Sequence, residues 1–155
     1  DPNYRAILWP STEAAVSQMR SVVPQVDLMK LSDEECALIT GTPDPEEAAA
    51  RILAMGPKVV AVTLGAEGAY VRCAGGGATV AGFPSEVADT TGAGDSFWGG
   101  FLAAFCESGR VPDEVTLEDA AAFTRFGNAV AALCVRGRGG IPSMPARAEV
   151  EALLR

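Results

Sequence analysis

Asp89-Thr90-Thr91-Gly92-Ala93-Gly94-Asp95-Ser96-Phe97-Trp98-Gly99-Gly100 is the stretch on which the reading of this sequence turns. Two glycines bracket an alanine, an aspartate follows at once, and an apolar run begins with Phe97, Trp98, Phe101, Leu102, Ala104 and Phe105. Phe97, Phe101, Ala104 and Phe105 recur at helical spacing, which predicts a buried amphipathic helix ending near Gly109. Gly92, Ala93 and Gly94 then sit at its N-terminus, where free N–H groups and the positive end of the helix dipole attract anions. Small side chains let that backbone approach a phosphate closely, and Asp95 stands beside it. An anion hole with a carboxylate at its lip suits phosphoryl transfer to a hydroxyl. Other phosphate motifs fail here: Gly100 stands where a Walker A loop needs lysine, and Phe97 where a dinucleotide fingerprint needs glycine. A plainer reading of the same residues is an Asp-capped helix after a glycine turn.

Outward from this stretch, helices and strands alternate. Ser11-Thr12-Glu13 starts a helix that Pro24 stops, and Val26–Leu31 (VDLMKL) reads as a short buried strand. Ser32 begins a second helix ending at Gly41, and Pro45–Met55 forms a third closed by Gly56. Lys58–Leu64 (KVVAVTL) is a β-branched run of the kind found in central parallel strands. Ala69–Cys73 and Ala78–Ala81 flank Gly75-Gly76-Gly77 as a hairpin. After the central helix, Thr116 caps a long helix through Leu133, a Gly137–Pro142 loop follows, and Ala146–Leu154 forms a last helix. Asp1-Pro2-Asn3 reads as the end of a strand. The pattern predicts an α/β fold in one domain, residues 1–155, with a mainly parallel sheet flanked by helices.

Composition narrows the chemistry. The 155 residues carry a net charge of −8, which disfavours nucleic acid or an anionic membrane as a partner. Histidine is absent, which removes Ser-His-Asp and Cys-His catalysis and the commonest zinc ligand, and leaves carboxylates as acid–base groups. Cys36, Cys73, Cys106 and Cys134 are widely spaced and read as reduced, mostly buried thiols, which suggests a cytoplasmic protein. No apolar run reaches membrane-spanning length.

The string Asp89–Phe97 resembles the signature of the ribokinase-like (PfkB) carbohydrate kinases. Asp1-Pro2-Asn3-Tyr4-Arg5, Leu8-Trp9 and Lys30-Leu31-Ser32-Asp33-Glu34-Glu35 are similar to the bacterial and plant fructokinases within that family. The resemblance runs from Asp1 to about Leu154 and matches the C-terminal half of such a kinase, without the half that carries most of the sugar pocket and lid. It implies a ribokinase-like fold and ATP-dependent phosphorylation of a sugar hydroxyl, fructose to fructose 6-phosphate, with Mg²⁺. The alternatives are 2-keto-3-deoxygluconate kinase or another sugar kinase of the family, and a catalytically incompetent nucleotide-binding fragment. Sugar and ATP are the implied partners, and the complete protein is expected to be a homodimer. The 155 residues alone are expected to be inactive.

The same resemblance implies roles for individual residues. Asp95 corresponds to the general base, which also contacts the sugar hydroxyl, and Gly92, Ala93 and Gly94 to the backbone donors of the anion hole. Thr63, Leu64, Gly65 and Gly68 are similar to the family's nucleotide-binding turn, although an ordinary strand-to-hairpin turn explains them too. Asn128 lies mid-helix, where asparagine has poor propensity, and matches a residue near the adenine. Glu35 corresponds to a glutamate acting through water on Mg²⁺, while Ser32-x-x-Glu35 is also a capping box. Asp89, Thr91, Cys134, Gly137, Gly139 and Ser143 correspond to ligands of a monovalent cation such as K⁺; an Asp-initiated turn accounts for Asp89 equally well. Arg5 is either a substrate-binding group or a solvated surface arginine.

Overall fold

Val-Val-Ala-Val-Thr at 59–63 has no polar face, and it folds as a strand buried on both sides. Val60 and Val62 pack into one apolar cluster and Val59 and Ala61 into another, as the two-residue period of a strand requires. The computed structural model describes residues 1–155. It sets this strand second in a four-stranded sheet of β1 (Leu28–Ser32), β2 (Val59–Thr63), β3 (Gly68–Cys73) and β4 (Gly76–Ala81), in that spatial order.

Six helices surround the sheet, α6 packing on α5 and α1 beside α2: α1 (Thr12–Val22), α2 (Asp33–Thr40), α3 (Pro45–Leu53), α4 (Ala93–Ser108), α5 (Leu117–Cys134) and α6 (Arg147–Leu154). Cys36, Ile39, Ala48, Ala49 and Ile52 of α2 and α3 fill the core on one face. Phe97, Phe101, Ala120 and Phe123 of α4 and α5 fill it on the other, with Phe101 and Phe123 edge to face at 5.7 Å. The caps read from sequence are present. Ser11 accepts from Ala14 N, Asp44 from Glu47 N, and Thr116 from Asp119 N. No helix is long and apolar enough to cross a membrane.

The expected mainly parallel order does not hold across this sheet. Only β1 and β2 run parallel; β2–β3 and β3–β4 are antiparallel. Connection length is the cause. A helical crossover of α2 and α3 separates β1 from β2, whereas Leu64–Glu67 and Ala74-Gly75 are too short to return a strand parallel. Asp1–Asn3 is likewise no strand. Pro2 has no N–H to give a ladder, and Asn3 takes a left-handed conformation (φ 46°) with its N–H bonded to Asp1 Oδ1 at 3.0 Å.

Cys36, Cys73 and Cys134 are buried, as expected, while Cys106 is exposed. Burial, reinforced by the Asp33, Glu35 and Asp44 carboxylates, pushes the Cys36 thiol up to about 11 and leaves it unreactive.

Candidate active site

α4 begins as the sequence predicts. Gly92 caps it in the left-handed region (φ 78°), and a side chain there would bring its Cβ within 2.8 Å of Gly140 Cα. Only glycine satisfies both conditions. Ala93 N donates to Thr90 O at 3.1 Å, closing the turn before the helix, so this amide is not a free donor. Of the expected donors, Gly92 and Gly94 keep backbone N–H groups that make no bond within the chain, and so does Asp95, whereas the N–H of Ala93 is engaged in the turn.

Asp95 occupies the first turn of α4 and is exposed. No cap bond ties its carboxylate to the helix, so the Asp-cap reading of this residue has no counterpart in the structure. It is a charged acceptor held next to three unpartnered donors.

A groove of about 460 Å³ leads from this turn along the α5 side of the sheet. Gly65, Gly68, Ala93 and Asn128 line it together, joining the expected nucleotide turn and the anion turn in one channel. Thr63 and Leu64 lie beside the channel instead. The Thr63 hydroxyl donates to Leu31 O at 3.3 Å and Leu64 N to Gly68 O at 2.8 Å, so both shape the turn. Asn128 is 5% exposed, and its Nδ2 donates to Val80 O (2.9 Å) and Ala81 O (3.1 Å). That amide satisfies the end of β4, which explains an asparagine in mid-helix.

Glu35 completes a capping box with Ser32: Ser32 Oγ accepts from Glu35 N, and Glu35 Oε2 accepts from Ser32 N at 2.8 Å. Its Oε1 accepts from Tyr4 N at 2.8 Å, so this buried carboxylate ties the segment before α1 to the start of α2. Each oxygen keeps a second lone pair, which fits water-mediated contact with Mg²⁺ and leaves the capping role intact. Arg5 is exposed and donates to Tyr4 O at 2.8 Å.

The residues expected around a monovalent cation gather in one corner. Asp89 Oδ1 accepts from Thr91 N and Oδ2 from Gly139 N, each at 2.9 Å. These bonds, Gly139's first, hold the Asp89 carboxyl down to about 2. Cys134 Sγ donates to Gly140 O at 3.8 Å, and Ser143 Oγ donates to Arg138 O at 3.1 Å where it abuts Gly137. A carboxylate held ionised at neutral pH among loop carbonyls is a donor set of hard oxygens, which fits K⁺.

Sequence reasoning quoted Lys30 and Asp1 within the stretches that carry the resemblance but gave neither a role. Lys30 is 6% exposed on β1, and its Nζ donates to Asp1 Oδ2 at 2.8 Å. Met29 and Leu31 face α2 and α3, so the alternation of the strand turns Lys30 toward α4. The available signal was a lone lysine inside the apolar run Leu28-Met29-Lys30-Leu31.

Comparison with known proteins gives a consistent picture. The pfkB family carbohydrate kinase profile matches residues 1–147. A protein named probable fructokinase-5 from Arabidopsis thaliana is 36% identical over 157 residues, covering 100% of this chain and 48% of its own length. The crystal structure of fructokinase from Vibrio cholerae O395 bound to fructose, ADP and calcium ion superposes with a TM-score of 0.85 at 30% identity, over 100% of this chain and 49% of that one. A putative ribokinase II from E. coli in complex with ATP and Mg²⁺ gives 0.82 at 30% identity, over 99% and 47%. The chain thus spans about half the length of the relatives it matches.

Proposed function

This chain belongs to the pfkB family of carbohydrate kinases, and from that premise we propose that it carries the nucleotide-binding and catalytic half of an ATP-dependent fructokinase. The observation that carries the reading is the Asp95 carboxylate, untethered and exposed beside the free N–H groups of Gly92 and Gly94, on the turn whose Thr90 and Ala93 line the same groove as Gly65, Gly68 and Asn128. Fructose is the proposed sugar because relatives matched along the whole chain bear the fructokinase name.

The chemistry is an in-line displacement. The fructose 6-hydroxyl oxygen bonds to the γ-phosphorus of ATP, the bond from that phosphorus to the β–γ bridging oxygen breaks, and ADP leaves. Asp95 accepts the hydroxyl proton as the oxygen attacks, which is the task of a general base. Backbone N–H groups at the start of α4 receive the negative charge on the transferred group, and they are oriented beforehand by the Gly92 turn and the Thr90–Ala93 bond. Glu35 would hold the waters of Mg²⁺, which offsets phosphate charge when bound. Asp89 and the Gly137–Ser143 loop would hold K⁺ behind the same turn.

The test uses the full-length protein carrying this sequence. Replacing Asp95 with Asn should lower kcat for fructose-dependent ADP release by about 10²–10⁴-fold, the usual worth of a general base, with ADP affinity little changed. A near wild-type rate in Asp95→Asn would remove Asp95 from the chemistry. Turnover of 2-keto-3-deoxygluconate in place of fructose would keep the mechanism and replace the substrate.

A further inference from the structure

We propose that Lys30 is a phosphoryl-binding residue of this site: Asp1 holds its ammonium against Gly94, where it supplies positive charge to the terminal phosphoryl group of the triphosphate. The proposal rests on the kinase reading above and adds a residue to it. A Cβ built on Gly94 would lie 3.1 Å from Lys30 Nζ and 3.6 Å from its Cε, so the ammonium presses directly on the anion turn. The lysine reaches that place from the C-terminal half of β1, with its side chain 7% exposed.

A purely structural ion pair accounts poorly for this arrangement. An ammonium has three donors, and the chain supplies an acceptor for only one of them, Asp1 Oδ2. The group it abuts is a helix N-terminus, whose dipole repels a cation. Burying a lysine is costly, and an apolar pair of similar volume often serves stability as well or better. Burial is the main influence lowering the ammonium's proton affinity; the Glu35 and Asp95 carboxylates oppose it and Arg5 adds to it. Lys30 is therefore the point at which the fields of Asp1, Glu35, Asp95 and Arg5 meet. An incoming triphosphate is met by three carboxylates there, and a fixed cation offsets their repulsion. It also supplies the two spare N–H donors that the phosphoryl oxygens can use.

The test compares nucleotide affinities in the full-length protein with Mg²⁺, by calorimetry with β,γ-imido-ATP and with ADP. Lys30→Met keeps the aliphatic stem and removes the charge. It should reduce the ratio of imido-ATP to ADP affinity at least tenfold, and Lys30→Arg should restore part of that ratio. The double variant Lys30→Met/Asp1→Leu replaces the ion pair with apolar groups and leaves no buried charge unpaired, and it should lose the ratio equally. Unchanged discrimination in the double variant, or equal weakening of both nucleotides, would overturn the proposal and leave Lys30 a structural ion pair. Fructose-dependent ADP release by the wild type, measured in parallel, separates the two readings. Without it the kinase assignment falls, whereas a turning-over kinase with unaltered discrimination in the variants removes Lys30 alone.

Discussion

Asp89 ties two loops with one carboxylate, accepting Thr91 N on one oxygen and Gly139 N on the other. Both bonds favour the charged form, which is why its carboxyl lies at about 2, below the ordinary aspartate range near 4. The sign follows directly. Above about pH 4 the group is ionised folded or unfolded, and its stabilisation is fully present. As pH falls toward about 2 the unfolded chain takes up the proton first, and the contribution is lost. Asp89→Asn should therefore melt below wild type at neutral pH, and the gap in melting midpoint should close between about pH 4 and about pH 2. A gap that stays constant across that window would mean the loop bonds do not depend on charge. At this scale, sequence was informative wherever a local pattern implied its own partner: Ser32 and Glu35 form the box that their spacing predicts. It was silent where a partner is distant. Lys30 meets Asp1, 29 residues away, and Gly94, 64 positions on, and no periodicity signals either encounter.

Helices α4 and α5 carry the site between them, and two glycines set their separation. A Cβ on Gly127 would lie 2.7 Å from Phe97 O and 2.9 Å from Phe97 Cδ2, and one on Gly100 would lie 2.8 Å from Val130 Cγ2. Two opposing effects decide the outcome of Gly127→Ala. Helix propensity favours alanine by about 1 kcal/mol, whereas overpacking a close contact costs about 1–3 kcal/mol. Because one of the clashing atoms is backbone, overpacking should win, lowering the urea midpoint of the full-length protein. Phe97 lies two residues after Asp95, so the same shift should reduce kcat; a stabilised variant with normal turnover would show that the helices can part freely. Element boundaries were legible because glycines and caps mark them within a few residues of chain. Strand direction was not. The run Val59–Thr63 looks identical whether its neighbours are parallel or not, and only the short links after β2 and β3 force the reversal. The free amides at the start of α4 were half legible: the glycine turn marks the place, but the bond from Ala93 N to Thr90 O depends on the fold of the turn itself.

On the scale of the whole molecule, the sheet is covered on its faces and open at β1, which pairs only with β2. Beside that edge lies a groove of about 260 Å³ lined by Trp9, Met19, Val22, Val26, Leu28 and Met29. Ile7 and Leu8 stand almost fully in solvent, at 93% and 75% exposed. Burying each of those side chains is worth about 1.5–3 kcal/mol, and an unpaired strand edge adds free N–H and C=O groups that another chain can complete. The matched relatives carry about as much chain again. Prepared on their own, residues 1–155 should therefore self-associate through the β1 edge, and sedimentation velocity should give dimers or larger species that Leu8→Ser reduces. They should also release no ADP in response to fructose. On the proposed reading the α4 turn meets the phosphoryl group and Asp95 takes the proton, but sugar contacts must hold the hydroxyl in line, and such positioning supplies a large part of the rate. A monodisperse monomer whose fructose-dependent ADP release disappears in Asp95→Asn would show that these 155 residues hold the sugar as well as the nucleotide.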